Sequence, residues 1–133
     1  WKEINPGLQI FYEMAEFQSK EVLRALEEEL FPLVDMVGLN EFELGLLGTE
    51  FEELPSKTKA VLYHSPDEQR VLPESKQNAA ALEFARRCAS FLAQTGRHAA
   101  LSDIQGYGAG FVESPVRTVG LGDTFSCAYF MAL

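Results

Sequence analysis

The chain has 133 residues, 47% hydrophobic and 23% charged, enough for one compact core of ordinary size. Twenty acidic residues against eleven basic ones give a net charge of −9. That balance excludes a general nucleic-acid binder, because nothing would neutralise a run of phosphates, and a bound anion would need a helix start, a metal ion or a few basic side chains.

No apolar run reaches membrane-spanning length and no segment reads as a signal peptide, so membrane insertion is not expected. The two cysteines, Cys88 and Cys127, have neither CxxC nor Cys/His metal spacing and read as reduced, buried thiols. The chain opens at Trp1 without Met and stops inside the apolar helical pattern of 128–133. It is therefore expected to be part of a larger protein, a separate small domain being the alternative.

Taken in chain order, Gln9, Ile10, Phe11 and Tyr12 follow the turn residues Asn5, Pro6 and Gly7 and predict a first strand. Ser19 precedes a predicted helix over 20–30, with Val22, Leu23, Leu26 and Leu30 on one face, and Phe31-Pro32 ends or kinks it. A second strand is expected over 34–39, interrupted by Asp35, then a helical start over 41–47. Residues 48–59 read as a loop with a short turn, 60–64 as a third strand, and Ser65-Pro66-Asp67 as a turn. The clearest helix spans 77–94, its alanines suggesting close packing on a sheet, and Gly96 ends it. Ser102-Asp103 starts a short helix, 111–112 and 116–119 read as strands around Pro115, and a last helix runs from Gly122. Strands alternating with helices predict an α/β fold with a parallel, doubly wound sheet.

The run Val119-Gly120-Leu121-Gly122-Asp123-Thr124 reads as a Gly-x-Gly-Asp turn feeding a helix. Such a turn aims backbone N–H groups at one point, and the helix start adds partial positive charge. A carboxylate there suits a site that takes a proton while the amides hold a phosphoryl group. Taken alone, the same turn equally serves as a strand end with Asp123 as a helix cap. Asn40 and Glu43 have the spacing of a capping box, a geometry that also holds water around a divalent cation. Glu13 and the His64-Ser65 pair follow predicted strands, where ligands of open α/β sheets gather, and Arg117 stands within reach of a phosphate. Each has a plain structural reading as a solvated, capping or packing residue.

Two stretches carry a resemblance. Gly38-Leu39-Asn40-Glu41-Phe42-Glu43-Leu44 resembles the GLNExEL stretch of ADP-dependent sugar kinases, a branch of the ribokinase-like superfamily, and the run 115–124 resembles the same family's PVxTVGxGDT stretch. The approach Phe31-Pro32-Leu33-Val34 looks more like the eukaryotic-type ADP-dependent glucokinases. The resemblance implies a ribokinase-like sheet with helices on both faces, the chain being the C-terminal part of the large, nucleotide-binding domain (1–133) without its lid domain.

It also implies roles. Asp123 would be the base that takes the sugar hydroxyl's proton, and Gly120, Leu121 and Gly122 the anion hole. Asn40 and Glu43 would act on Mg²⁺ largely through water, with Glu13 as the glutamate of an HxE motif. His64, Arg117, Thr118 and Val119 would lie toward the nucleotide. ADP would be the phosphoryl donor and the partners a sugar (glucose first, fructose 6-phosphate second), ADP and the missing N-terminal half; the alternatives are an ATP-dependent ribokinase-like sugar kinase and a non-catalytic nucleotide-binding or interaction domain. The setting would be intracellular, cytoplasmic or endoplasmic-reticular. Three departures stand out: Phe11 replaces the motif histidine, the segment between Leu44 and the third strand is short, and so is the loop before Pro115. Without a lid to exclude water, the 133-residue piece alone is not expected to turn over sugar.

Overall fold

Short runs rich in branched and aromatic residues favour extended backbone, most clearly over Met36–Leu39, where every residue is buried. The computed structural model describes residues 1–17 and 19–133, which form two compact units, Trp1–Pro73 and Glu74–Leu133. In the first, β1 (Phe11–Glu13), β2 (Met36–Asn40) and β3 (Val61–His64) pair side by side and parallel. A fourth strand, β4 (Gln69–Leu72), pairs antiparallel with β3, so the sheet is mixed rather than wholly parallel. The turn before it is closed by the Ser65 amide donating to the Glu68 carbonyl at 2.7 Å. The sequence hid β4 because only Val71 of its four residues is buried.

Register then assigns the faces. Side chains alternate along each strand, and partners in a parallel pair share a face. Tyr12, Val37, Leu39, Val61 and Tyr63 join Phe31, Phe51 and Leu54 in the main core cluster. Phe11, Glu13, Met36, Gly38, Asn40, Leu62 and His64 therefore fall on the opposite face.

The first helix is less regular than its apolar periodicity predicts. Ser19 caps α1 (Lys20–Ala25) by accepting from the Val22 amide at 3.4 Å. The chain then widens into a π-helical turn, Leu26–Leu30, and tightens into a 3₁₀ turn, Phe31–Leu33. Pro32 has no N–H to continue the ladder. The break lets Phe31 drop fully into the core. α2 (Glu41–Leu47) follows β2 directly, and Gly48 ends it at φ 64°. A 3₁₀ turn, Phe51–Ser56, delivers Phe51 and Leu54 to the same core.

The second unit is helical. Ser75 caps α3 (Lys76–Thr95), and Gly96 ends it at φ 74°. Within this unit α3 packs on α5 (Leu121–Met131), with the single turn α4 (Leu101–Ile104) against α3. The strands expected at 111–112 and 116–119 are irregular backbone instead. Pro115 offers no N–H, and the Val116 amide donates to the Ala93 carbonyl at the end of α3 (2.7 Å), not to a strand. The thiol expectation holds in part: Cys88 is half-buried, and burial raises its pKa, but Cys127 is exposed. The buried positions of α5 are Phe125, Ser126, Ala128 and Tyr129, and Cys127 falls off that stripe. Among the described residues no helix is long and apolar enough to cross a membrane.

Candidate functional site

The C-terminal ends of the three parallel strands bring Glu13, Asn40, Glu43 and His64 together within the first unit. Asn40 ends β2 with extended backbone (φ −102°, ψ 178°), the conformation an N-cap needs. Its Oδ1 accepts from the Glu43 amide at 3.0 Å, and its own amide donates to Glu43 Oε2 at 2.8 Å. The box holds Glu43 over the helix start with only 7% of its surface exposed. Burial pushes the Glu43 carboxyl up from the usual range, the Asn40 amide pulls it back, the charge of Glu13 raises it and that of His64 lowers it. Glu13, Glu43 and His64 thus form one electrostatic group.

Glu13 ends β1, and its Oε1 lies 3.0 Å from His64 Nε2 at the end of β3. The two residues are 51 positions apart in sequence, so only register could have revealed the pair. Gly38, on the strand between them, also went unremarked in the sequence beyond its motif. A Cβ at Gly38 would lie 2.0 Å from Glu13 Oε2 and 2.6 Å from Phe11 Cζ.

The second unit holds the glycine turn. Gly120 adopts φ 80° immediately before α5, a left-handed conformation that suits glycine. No side chain caps α5, and the amides of Leu121, Gly122 and Asp123 have no acceptor within the helix. Arg117 folds back over the turn: its Nε donates to the Val119 carbonyl at 3.0 Å, and one guanidinium nitrogen lies 4.0 Å from where a Gly120 Cβ would be. A cation therefore stands beside the positive end of α5. Asp123, Arg117, Thr118 and Val119 are exposed. Thr124 Oγ1 lies 3.5 Å from His98 Nδ1, a neighbour that no sequence motif indicated.

The donor set is hard and oxygen-rich, as magnesium requires. Among the described residues no group of three or more His, Cys, Asp or Glu side chains is arranged to hold a metal ion. Asn40 Oδ1 and Glu43 Oε2 are engaged in the capping box, and Glu13 Oε1 faces His64. These oxygens are engaged within the protein, so the described residues form no cage of direct ligands.

Carboxylates at parallel strand ends are a feature of open α/β sheets, and a glycine turn opening a helix is one of anion-binding loops. The conserved region of ADP-specific phosphofructokinase/glucokinase matches residues 1–105, and the chain belongs to that family of ADP-dependent sugar kinases. The glycine turn lies beyond the matched segment. No protein of curated function is significantly similar in sequence.

Among solved structures, the last common ancestor of ADP-dependent phosphofructokinases from Methanosarcinales is similar at TM-score 0.79 and 21% identity, covering 98% of this chain and 43% of that one. A phosphofructokinase from Pyrococcus horikoshii OT3, solved with AMP, is similar at TM-score 0.74 and 20% identity, covering 94% of this chain and 42% of its own. A hypothetical ADP-dependent phosphofructokinase from the same organism gives the same values. The α/β fold expected from the sequence is thereby established, and the chain spans less than half the length of these relatives.

Proposed function

We propose that the full-length protein is a phosphotransferase that moves the β-phosphoryl group of MgADP to a sugar hydroxyl, within the cell. The family match over residues 1–105 carries the reading. Asp123 is the base: its carboxylate takes the hydroxyl proton as the oxygen attacks the β-phosphorus and the bond to AMP breaks. The amides of Gly120, Leu121 and Gly122 receive the charge on the transferring group. Preorganised donors of this kind are worth about 10² to 10³ in rate each. Arg117, Thr118 and Val119 attend the nucleotide phosphates from the same turn. Glu13, Asn40 and Glu43 would hold the divalent cation, which when bound would offset negative charge on the diphosphate.

Glucose is the first acceptor to test, because the approach Phe31-Pro32-Leu33-Val34 resembles the glucokinase type. Fructose 6-phosphate is the second, because the similar solved structures are phosphofructokinases. The test is a donor and acceptor matrix on the full-length protein, with AMP and sugar phosphate as products. The proposal expects transfer from ADP with one of the two sugars and little from ATP. Equal or better transfer from ATP would place the enzyme among ATP-dependent kinases of this fold. No transfer from either nucleotide would refute the kinase reading.

A further inference from the structure

We infer that Gly38 and His64 are positioning residues for Glu13: the gap at position 38 lets the Glu13 carboxyl cross β2 and meet the His64 imidazole two strands away. The sheet geometry requires such a gap. Neighbouring strands lie about 4.8 Å apart, so β1 and β3 are separated by about twice that, with β2 between. Glu13 pairs with Gly38, and Gly38 with Leu62 two residues before His64, so all project from one face. A side chain at 38 would occupy the carboxyl's path, since its Cβ would come within 2.0 Å of Glu13 Oε2. The nearest obstructed atom ends a flexible side chain. An added methyl therefore displaces the carboxylate, and with it the Phe11 ring end, before it displaces the strand.

The contact also fixes the imidazole. A carboxylate oxygen accepts and an imidazole N–H donates, so the 3.0 Å contact with Glu13 Oε1 favours the tautomer with its hydrogen on Nε2. Phe11, which stands where the resemblance leads one to expect a histidine, places its ring end within 2.6 Å of the same hypothetical Cβ and has no proton to offer. His64 supplies from β3 the donor that position 11 lacks. This assigns His64 to holding Glu13, in place of direct nucleotide contact. The inference rests on the kinase reading only for what a held Glu13 does.

The test uses Gly38→Ala, His64→Leu and His64→Gln in the full-length protein. In metal-free, ¹⁵N-labelled protein the wild type should show a hydrogen-bonded imidazole N–H, identified by its absence in His64→Gln and lost in Gly38→Ala. Outer partners of metal-facing groups are worth about 10- to 100-fold in affinity or activity. Half-saturating Mg²⁺ should rise within that range in Gly38→Ala and His64→Leu, and His64→Gln, which keeps an N–H, should recover most of it. The Gly38→Ala/His64→Leu double variant should be no worse than the worse single, because both act through one carboxylate. An unchanged imidazole signal in Gly38→Ala, or fully additive magnesium effects, would overturn the inference.

If Gly38→Ala does not fold, its pairs with Glu13→Ala and with Phe11→Ala decide, because the added Cβ would meet both side chains. Rescue by Glu13→Ala supports the proposal; rescue by Phe11→Ala alone, or by neither, refutes it. Failure of the kinase reading would instead appear as absent phosphoryl transfer with the imidazole signal intact.

Discussion

Asn40 performs two tasks with one geometry. Its Oδ1 closes the start of α2 and its amide fixes the Glu43 carboxyl, so the cap and the candidate metal-facing acid cannot be separated. Asn40→Ala should destabilise the protein by about 1 kcal/mol, the usual worth of an N-cap, as read by denaturant unfolding. Asn40→Ser, which keeps a capping oxygen, should cost less.

Asp35 supplies the pH dependence. Burial alone would raise its carboxyl, but Lys2 at 2.5 Å, Lys59 at 2.7 Å and the Ile10 amide hold it well below the usual carboxylate range. A lowered folded pKa contributes stability above the unfolded value of about 3.9, and that stability is lost as pH falls toward the folded value. Lys59 is largely exposed, so the effect is partly screened. Stability should therefore fall below about pH 4. Asp35→Asn should be less stable at neutral pH and flatter across that acid limb; an identical acid limb in the variant would contradict this.

At this scale the capping box was legible, because Asn and Glu three apart before an apolar run have a local meaning. The Glu13–His64 contact was not, because it depends on three strands lying in register across a residue without a side chain.

Element boundaries follow residues with hard backbone constraints. Gly48, Gly96 and Gly120 all take positive φ at helix ends, and the sequence marked Gly96 and Gly120 correctly as punctuation. At Gly96 an added Cβ would also meet Val116 Cγ1 at 3.2 Å. Gly96→Ala should cost about 1–3 kcal/mol, the worth of forcing a left-handed conformation on a residue with a side chain. A thermal melt unchanged from wild type would refute that. Apolar pattern misled at 116–119: Val116 and Val119 look strand-forming, yet the Val116 amide bonds to the Ala93 carbonyl of α3. It also smoothed over the π and 3₁₀ turns after α1, which arise from Pro32 and the burial of Phe31, a tertiary demand that a local pattern does not record.

On the scale of the whole molecule, alternation of strand and helix sufficed to read an α/β fold, and two motifs placed the family. The division into two units has no Pro/Gly-rich linker to mark the step from Pro73 to Glu74; its trace in the sequence is charge, since the net −9 falls wholly in the first unit (15 acidic against 6 basic residues) and the second is balanced (5 against 5). The candidate groups divide with it. Glu13, Asn40 and Glu43, proposed to face the cation, belong to the first unit, and Asp123 and the glycine turn, proposed as base and anion hole, to the second. The sharpest test of the kinase account is single-turnover phosphoryl transfer from MgADP by full-length Asp123→Asn, which removes the base while keeping shape and hydrogen bonding. The account predicts a rate about 10² to 10⁴ below wild type, the range for loss of a general base, with ADP binding retained. A rate close to wild type would contradict it.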